Sequence, residues 1–178
     1  MSAIDFLCIC FLLITVVLGT FDPSIHDIHN AVDLYEMNKT QAFQQYGNIS
    51  HWNTAGITDF DTLFLGLQTF NEPLFWDTSS VETMANMFYG AQAFNQDLNH
   101  WDVSKVRNFD STFEGASAFN GNISEWDTSS ATDMGNMLKG SNFQGDISKW
   151  NVSKVTNMRA MFRQLFFFQF RFELLGCE

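Results

Sequence analysis

The chain has 178 residues, 46% hydrophobic and 16% aromatic, which suits a single domain with a buried core and excludes wholesale disorder. Nine Lys and Arg stand against 20 Asp and Glu, for a formal charge of -11. No basic cluster offsets that charge, so the surface repels phosphate backbones and nucleic acid is excluded as a partner. The acidity serves solubility by charge repulsion, with an acid-selective partner or a cation atmosphere as the alternative.

The chain opens with an apolar run from Phe6 to Leu18, short for a bilayer span. It predicts a signal peptide over residues 1–19, cut after Gly19, with Val17 and Gly19 as the small residues before the cut. Asp5 and the lack of Lys or Arg at the start leave an uncleaved anchor as the rival reading. Cleavage removes Cys8 and Cys10 and leaves Cys177 alone, so no intramolecular disulfide remains and packing must hold the fold.

Over residues 20–47, Ile25, Ile28, Val32 and Tyr35 follow helical spacing. Ser24 with Asp27, after Pro23, resembles a capping box. This segment predicts an amphipathic helix that caps the first unit of a repeat array.

From residue 48 to 163 the chain repeats about five times. Trp52, Trp76, Trp101, Trp126 and Trp150 recur every 24 or 25 residues, and each opens a similar stretch: WNTAGI, WDTSSV, WDVSKV, WDTSSA, WNVSKV. Phe70, Phe94, Phe119 and Phe143 keep the same period. A period in the twenties means one small unit per repeat, stacked on its neighbours to bury a face that no unit buries alone. Phe94, Gln96 and Leu98 alternate by two, which predicts a short strand. Val106, Phe109 and Phe113 then step by three and four, as do Val81, Met84, Met87 and Phe88, which predicts a helical turn. Ser79, Ser104, Ser129 and Ser153 precede these runs as N-caps, and Gly66, Gly90, Gly115 and Gly140 follow them as stops. The expected fold class is an α/β repeat solenoid of leucine-rich-repeat type, with one short strand and one helical turn per repeat and a parallel sheet. The Trp-Asp dipeptides do not signal a WD propeller, whose period is roughly 40 to 45 residues.

Residues 164–178 leave the repeat register. The window from Phe166 to Phe172 is aromatic, almost uncharged and free of Pro and Gly, a sequence type prone to β-aggregation when exposed. A truncated or frame-shifted end is the first reading, because a stack needs a polar end to stay soluble. An unusual C-terminal cap and a membrane-associating tail are the others.

The units FNQDLNHWDVSKV, FNGNISEWDTSSATDM and ISKWNVSKVTNMRAMF resemble the BspA-like leucine-rich-repeat surface proteins, a repeat type also found in mycoplasma surface proteins and in algal and protist sequences. The leader SIHDIHNAVDLYEM followed by YGNISHWNTAGITDF is similar to the cap and first repeat of algal members. The resemblance covers roughly residues 24 to 162. It implies a secreted or surface-exposed domain, suggests adhesion to host proteins by analogy with some bacterial members, and implies no catalytic residues.

The Trp column and the Phe column are read as structural core rather than as sugar-stacking sites, since an interior stack needs a bulky residue at each repeat. Alternation leaves Asn71, Asn95, Asn120 and Gln144 in one outward column and Asp97, Asn122 and Asp146 in the next. Asn95, Asp97, Asn120, Asn122, Gln144 and Asp146 are therefore the expected ligand-binding face, for an extracellular protein or glycan. The competing reading of the first column is an asparagine ladder bonded along the stack. Asn38, Asn48, Asn122 and Asn151 head N-glycosylation sequons, in a chain so rich in Asn, Ser and Thr that chance accounts for part of them. His26 and His29, three apart beside Asp22 and Asp27, are the alternative centre, for a metal-binding protein or hydrolase. No HExxH, CxxC or third ligand accompanies them, and no cofactor motif is present. The reading is thus a secreted or cell-surface, non-catalytic recognition domain needing no cofactor or metal. It meets a membrane only through an uncleaved leader or the tail. A fragment of a longer adhesin is the remaining alternative.

Overall fold

The computed structural model describes residues 19–165. The leader up to Leu18, with Cys8 and Cys10, and the aromatic window of the tail, with Cys177, lie outside the described residues. Two helices come first, α1 (Ile28–Met37) and α2 (Lys39–Tyr46), followed by a 3₁₀ turn at Ile49–His51. Asp27 caps α1 by accepting from Asn30 N–H, whereas Ser24 bonds back to Asp22 and Ile25 points to solvent, so the cap is Asp27 itself rather than a Ser24 box. Asn38 ends α1 and starts α2, its side chain accepting from Gln41 N–H. The buried face of α1, Ile28, Ala31, Val32 and Tyr35, lies against the first repeat, where the Tyr35 hydroxyl donates to Glu72. Burial, with the Glu72 charge beside it, pushes the Tyr35 phenol upward.

Beyond this cap no described residue belongs to a helix of any length. The strand-like pairing is a row of isolated parallel bridges that joins Asp59, Thr83, Asn108, Asp133 and Asn157 in turn. The expected α/β solenoid, with a strand and a helical turn in every repeat, is therefore not what forms, and neither is its parallel sheet. The bridges fall in the half expected to be helical, and residues 94–98, expected to be a strand, have no regular structure.

The reason lies in the turns. Leu63, Leu65 and Leu67 N–H groups return to carbonyls three residues back, those of Phe60, Thr62 and Phe64, so apolar side chains recur at steps of three and four just as they do in a helix. No helix propagates, because left-handed residues interrupt it. Thr62, Asn86, Ser111, Asn136 and Ala160 have φ between 50° and 63°, and a second left-handed residue follows each of them four places on. The alternate N–H groups are thereby turned along the stack. Those of Phe60, Thr62, Phe64 and Gly66 donate to the carbonyls of Thr83, Ala85, Met87 and Tyr89 in the next repeat, at 2.7 to 3.0 Å. The same four-bond seam recurs at each later interface, for example from Phe109, Ser111, Phe113 and Gly115 to Asp133, Gly135, Met137 and Lys139, all at 2.8 Å. Donors in the seam face the C-terminal end and acceptors face the N-terminal end.

Aromatic rungs fill the space behind the seam. Trp52, Trp76, Trp101, Trp126 and Trp150 are all buried, with Trp52 stacked on Trp76 and Trp126 on Trp150 at 6.2 and 6.3 Å. Phe70, Phe94, Phe119 and Phe143 form a second stack with 6.0 to 6.1 Å between ring centres. Each buried ring contributes roughly 1.5–3 kcal/mol through apolar burial. The indole N–H groups also tie one repeat to the last: Trp76 donates to Ile49, Trp101 to Leu74, Trp126 to Leu98 and Trp150 to Ile123, at 2.7 to 3.1 Å. A buried donor at each of these rungs is thus satisfied, and rings and backbone share one register.

Candidate recognition surface

The outer side of the stack is built from side-chain oxygens that fold back on their own backbone. At the start of each repeat Asn53, Asp77, Asp102, Asp127 and Asn151 accept the N–H two residues on. Asp97, Asn122 and Asp146 do the same for Asn99, Ser124 and Ser148. Such a bond mimics a backbone turn, which is why Asp and Asn interchange at these positions. It also tunes charge. The Ser79 and Ser104 hydroxyls, then their N–H groups, hold the Asp77 and Asp102 carboxyls below the usual value; for Asp127 and Asp146 the N–H of Ser129 and Ser148 leads and the hydroxyl follows.

The six residues expected to form a ligand face lie together on the exterior, but not on a sheet, and one oxygen of most is engaged. Asn71 Oδ1 accepts from Asn95 N–H at 2.9 Å, Asn95 Oδ1 from Asn120 N–H at 2.7 Å, and Asn120 Oδ1 from Gln144 N–H at 2.8 Å. These amides stitch consecutive repeats where the backbone seam is absent. Asp97, Asn122 and Asp146 beside them carry the turns just described, with their remaining polar atoms toward solvent.

The sequon residues Asn38, Asn48, Asn122 and Asn151 are all exposed, and each accepts a backbone N–H through Oδ1. For Asn48, Asn122 and Asn151 the donor is the sequon serine itself. The Asn-x-Ser pattern therefore has a folding role at these three positions whether or not a glycan is attached.

His26 and His29 border one cleft together with Asp27 and Asp59, but each ring is tied to its own backbone partner. His26 Nδ1 accepts from Asp22 N–H at 3.0 Å, and its ring packs against Phe21 and Tyr46. His29 Nε2 lies 2.9 Å from the Asp61 carbonyl, which can only accept, so Nε2 carries the proton. That bond covers one of the carbonyls the first repeat presents toward the cap. Pro23, Ser24 and Gly56 complete the lining of that cleft. Among the described residues no group of three His, Cys, Asp or Glu is arranged to hold a metal ion.

One exterior column is hard to read in the sequence because it mixes residue types: His51, Phe75, His100, Glu125 and Lys149, each immediately before a repeat tryptophan. Phe75 is 59% exposed, and it lies between two imidazoles, 5.4 Å from His51 and 5.9 Å from His100, both tilted by 40°. His100 is anchored by a 3.0 Å bond to the Leu74 carbonyl, and Lys149 pairs with Glu125 further along. The only sequence signal for this platform is the offset of one from the tryptophans.

The family model described as "Mycoplasma protein of unknown function, DUF285" matches residues 32–142 and again 98–173. The two matches overlap over residues 98–142, as a repeat model does when it fits in more than one register. No curated protein and no solved structure matches the chain. The chain belongs to this family.

Proposed function

We propose that this member of the family is a secreted or cell-surface, non-catalytic recognition domain that binds an extracellular protein or glycan through the exposed platform of His51, Phe75 and His100. The observation that carries the reading is Phe75, an apolar ring left in solvent on a stack that buries its other repeat-register phenylalanines until the last rung. A ring 59% exposed and flanked by two imidazoles is a preorganised apolar contact for the C–H face of a sugar or a partner's aromatic side chain. The asparagine and aspartate columns support recognition less well as its centre, because their oxygens hold turns and repeat contacts. They suit the rim of a site, where free polar atoms supply orientation.

A glycan and extracellular-protein array with the full chain tests this. Phe75→Ala is expected to weaken binding at least ten-fold, about 1.4 kcal/mol, while the pair Asp97→Ala with Asp146→Ala has a smaller effect. Binding unaltered by Phe75→Ala refutes the platform. Zinc, calcium and manganese titrations address the alternative: tight one-to-one binding lost in His26→Ala would favour a metal-dependent role instead.

A further inference from the structure

The last repeat has no neighbour beyond it among the described residues. Val152, Met158 and Phe162 are 42%, 43% and 43% exposed, whereas Val103, Met134 and Phe113, their counterparts in earlier repeats, are 1%, 0% and 0%. The backbone seam is open as well. Among the described residues the N–H groups of Met158, Ala160, Phe162 and Gln164 have no acceptor, while their equivalents in every earlier repeat donate across an interface. Beside them Phe143, Ile147, Phe162 and Leu165 line an apolar hollow of about 390 Å³.

Whatever covers this end must bring carbonyl oxygens for the four seam donors and apolar bulk for the hollow. Beside the seam the Thr156 carbonyl, whose counterparts Glu82, Arg107 and Thr132 accept from the following repeat, also faces the open end. A second copy matches the four seam donors in neither orientation. Tail to tail, donors would face donors; head to tail, the matching carbonyl edge already lies under the helical cap, where Asp61 bonds to His29. The chain itself has what is needed. Leu165, 3% exposed, is the last described residue and itself lines the hollow, so the described chain ends at this face. Thirteen residues come after it, among them Phe166, Phe167, Phe168, Phe170 and Phe172. The family match also runs on to residue 173.

We propose that residues 166–178 are the C-terminal cap of the stack, covering the hollow with phenylalanine side chains and accepting from the four outward N–H groups through backbone carbonyls. This assigns a role to the segment that aggregation propensity alone would mark as a liability.

Hydrogen exchange on the full chain, read at single-amide resolution, tests it. The Met158, Ala160, Phe162 and Gln164 amides are expected to be protected, and to exchange on the order of a hundred-fold faster in a chain ending at Leu165 while the seam amides of Phe88 and Phe113 stay protected. If the shortened chain does not fold, the full chain carrying Phe167→Ser and Phe170→Ser is read in its place, with the same amides expected to lose protection. Free exchange of the four amides in the full chain overturns the proposal. So does equal protection with and without the tail, or protection that rises with protein concentration alongside dimer formation, which would assign the end face to a second copy after all.

Discussion

Replacing Gly121 by alanine would separate a close backbone approach from ordinary loop flexibility. Gly121 occupies the position that Gln96 holds one repeat earlier, and a Cβ built on it lies 2.0 Å from the Gln96 carbonyl oxygen and 2.9 Å from its carbon. Ordinary contacts begin near 3.4 Å, so relief requires moving one repeat's backbone by more than an ångström against its neighbour. That motion disturbs the Asn95 to Asn120 bond directly beside it. Overpacking into rigid surroundings costs about 1–3 kcal/mol, and the collision here is with backbone rather than a pliable side chain, so about 3 kcal/mol is expected. At roughly 2–4 °C per kcal/mol for a chain of this size, Tm falls by about 6–12 °C. Gly145→Ala is the control. The nearest atoms its added methyl meets belong to the Phe143 ring, at 2.6 Å, the far end of a side chain that can give by rotation where a backbone cannot. Its expected effect is below about 1 kcal/mol. Thermal and urea unfolding followed by near-ultraviolet circular dichroism read both variants. A Gly121→Ala protein as stable as its parent, or a Gly145→Ala protein equally damaged, would refute the idea that neighbouring repeats meet backbone to backbone at this point.

Two further outcomes rest on the local geometry. Gln164 sits where earlier repeats place Gly66, Gly90, Gly115 and Gly140, with φ of 59°; Gln164→Gly is expected to raise stability by about 0.5–1 kcal/mol, net of the greater freedom glycine gives the unfolded chain, as read from the urea midpoint. Hydrogen bonds depress the folded-state carboxyls of Asp77, Asp102 and Asp127, so their stabilising contribution is complete above the ordinary value of 3.8 and drains away as pH falls below it through the lower folded values. Asp102→Asn keeps the turn, as Asn53 and Asn151 do at the same position, but does not titrate. Its urea midpoint should match the parent at pH 7 and fall less between pH 4 and 2; because these groups are exposed the difference is small, and an equal or steeper fall would contradict the assignment.

The sequence by itself carries the 24- to 25-residue period and the membership in a repeat family that goes with it, and the buried rings of the structure fall on that period. Trp and Phe at a fixed spacing can lie in one register only when each repeat retraces the path of the last, so the rungs are a property of spacing. What the spacing left open was the path itself. Val106, Phe109 and Phe113 step by three and four both in a helix and in a chain of tight turns, because each closes a hydrogen bond over three or four residues. The decision rests on backbone conformation at Thr62, Asn86, Ser111, Asn136 and Ala160, five positions of mixed residue type that share a left-handed φ no single side chain announces. The alternation of Phe94, Gln96 and Leu98 misleads for the opposite reason, since the repeats there are joined through asparagine side chains rather than by a backbone ladder.

The candidate site divides along the same line. Which polar residues form columns is legible from the repeat; whether their oxygens face a ligand or their own backbone is not, since Asp97 and Asn122 look equally available until the turn places a donor beside them. Phe75 is marked in the chain only by standing one place before Trp76, in a column of otherwise polar residues. Only the stacked structure brings it between His51 and His100, because residues about 25 positions apart become neighbours solely through the packing of one repeat upon the next.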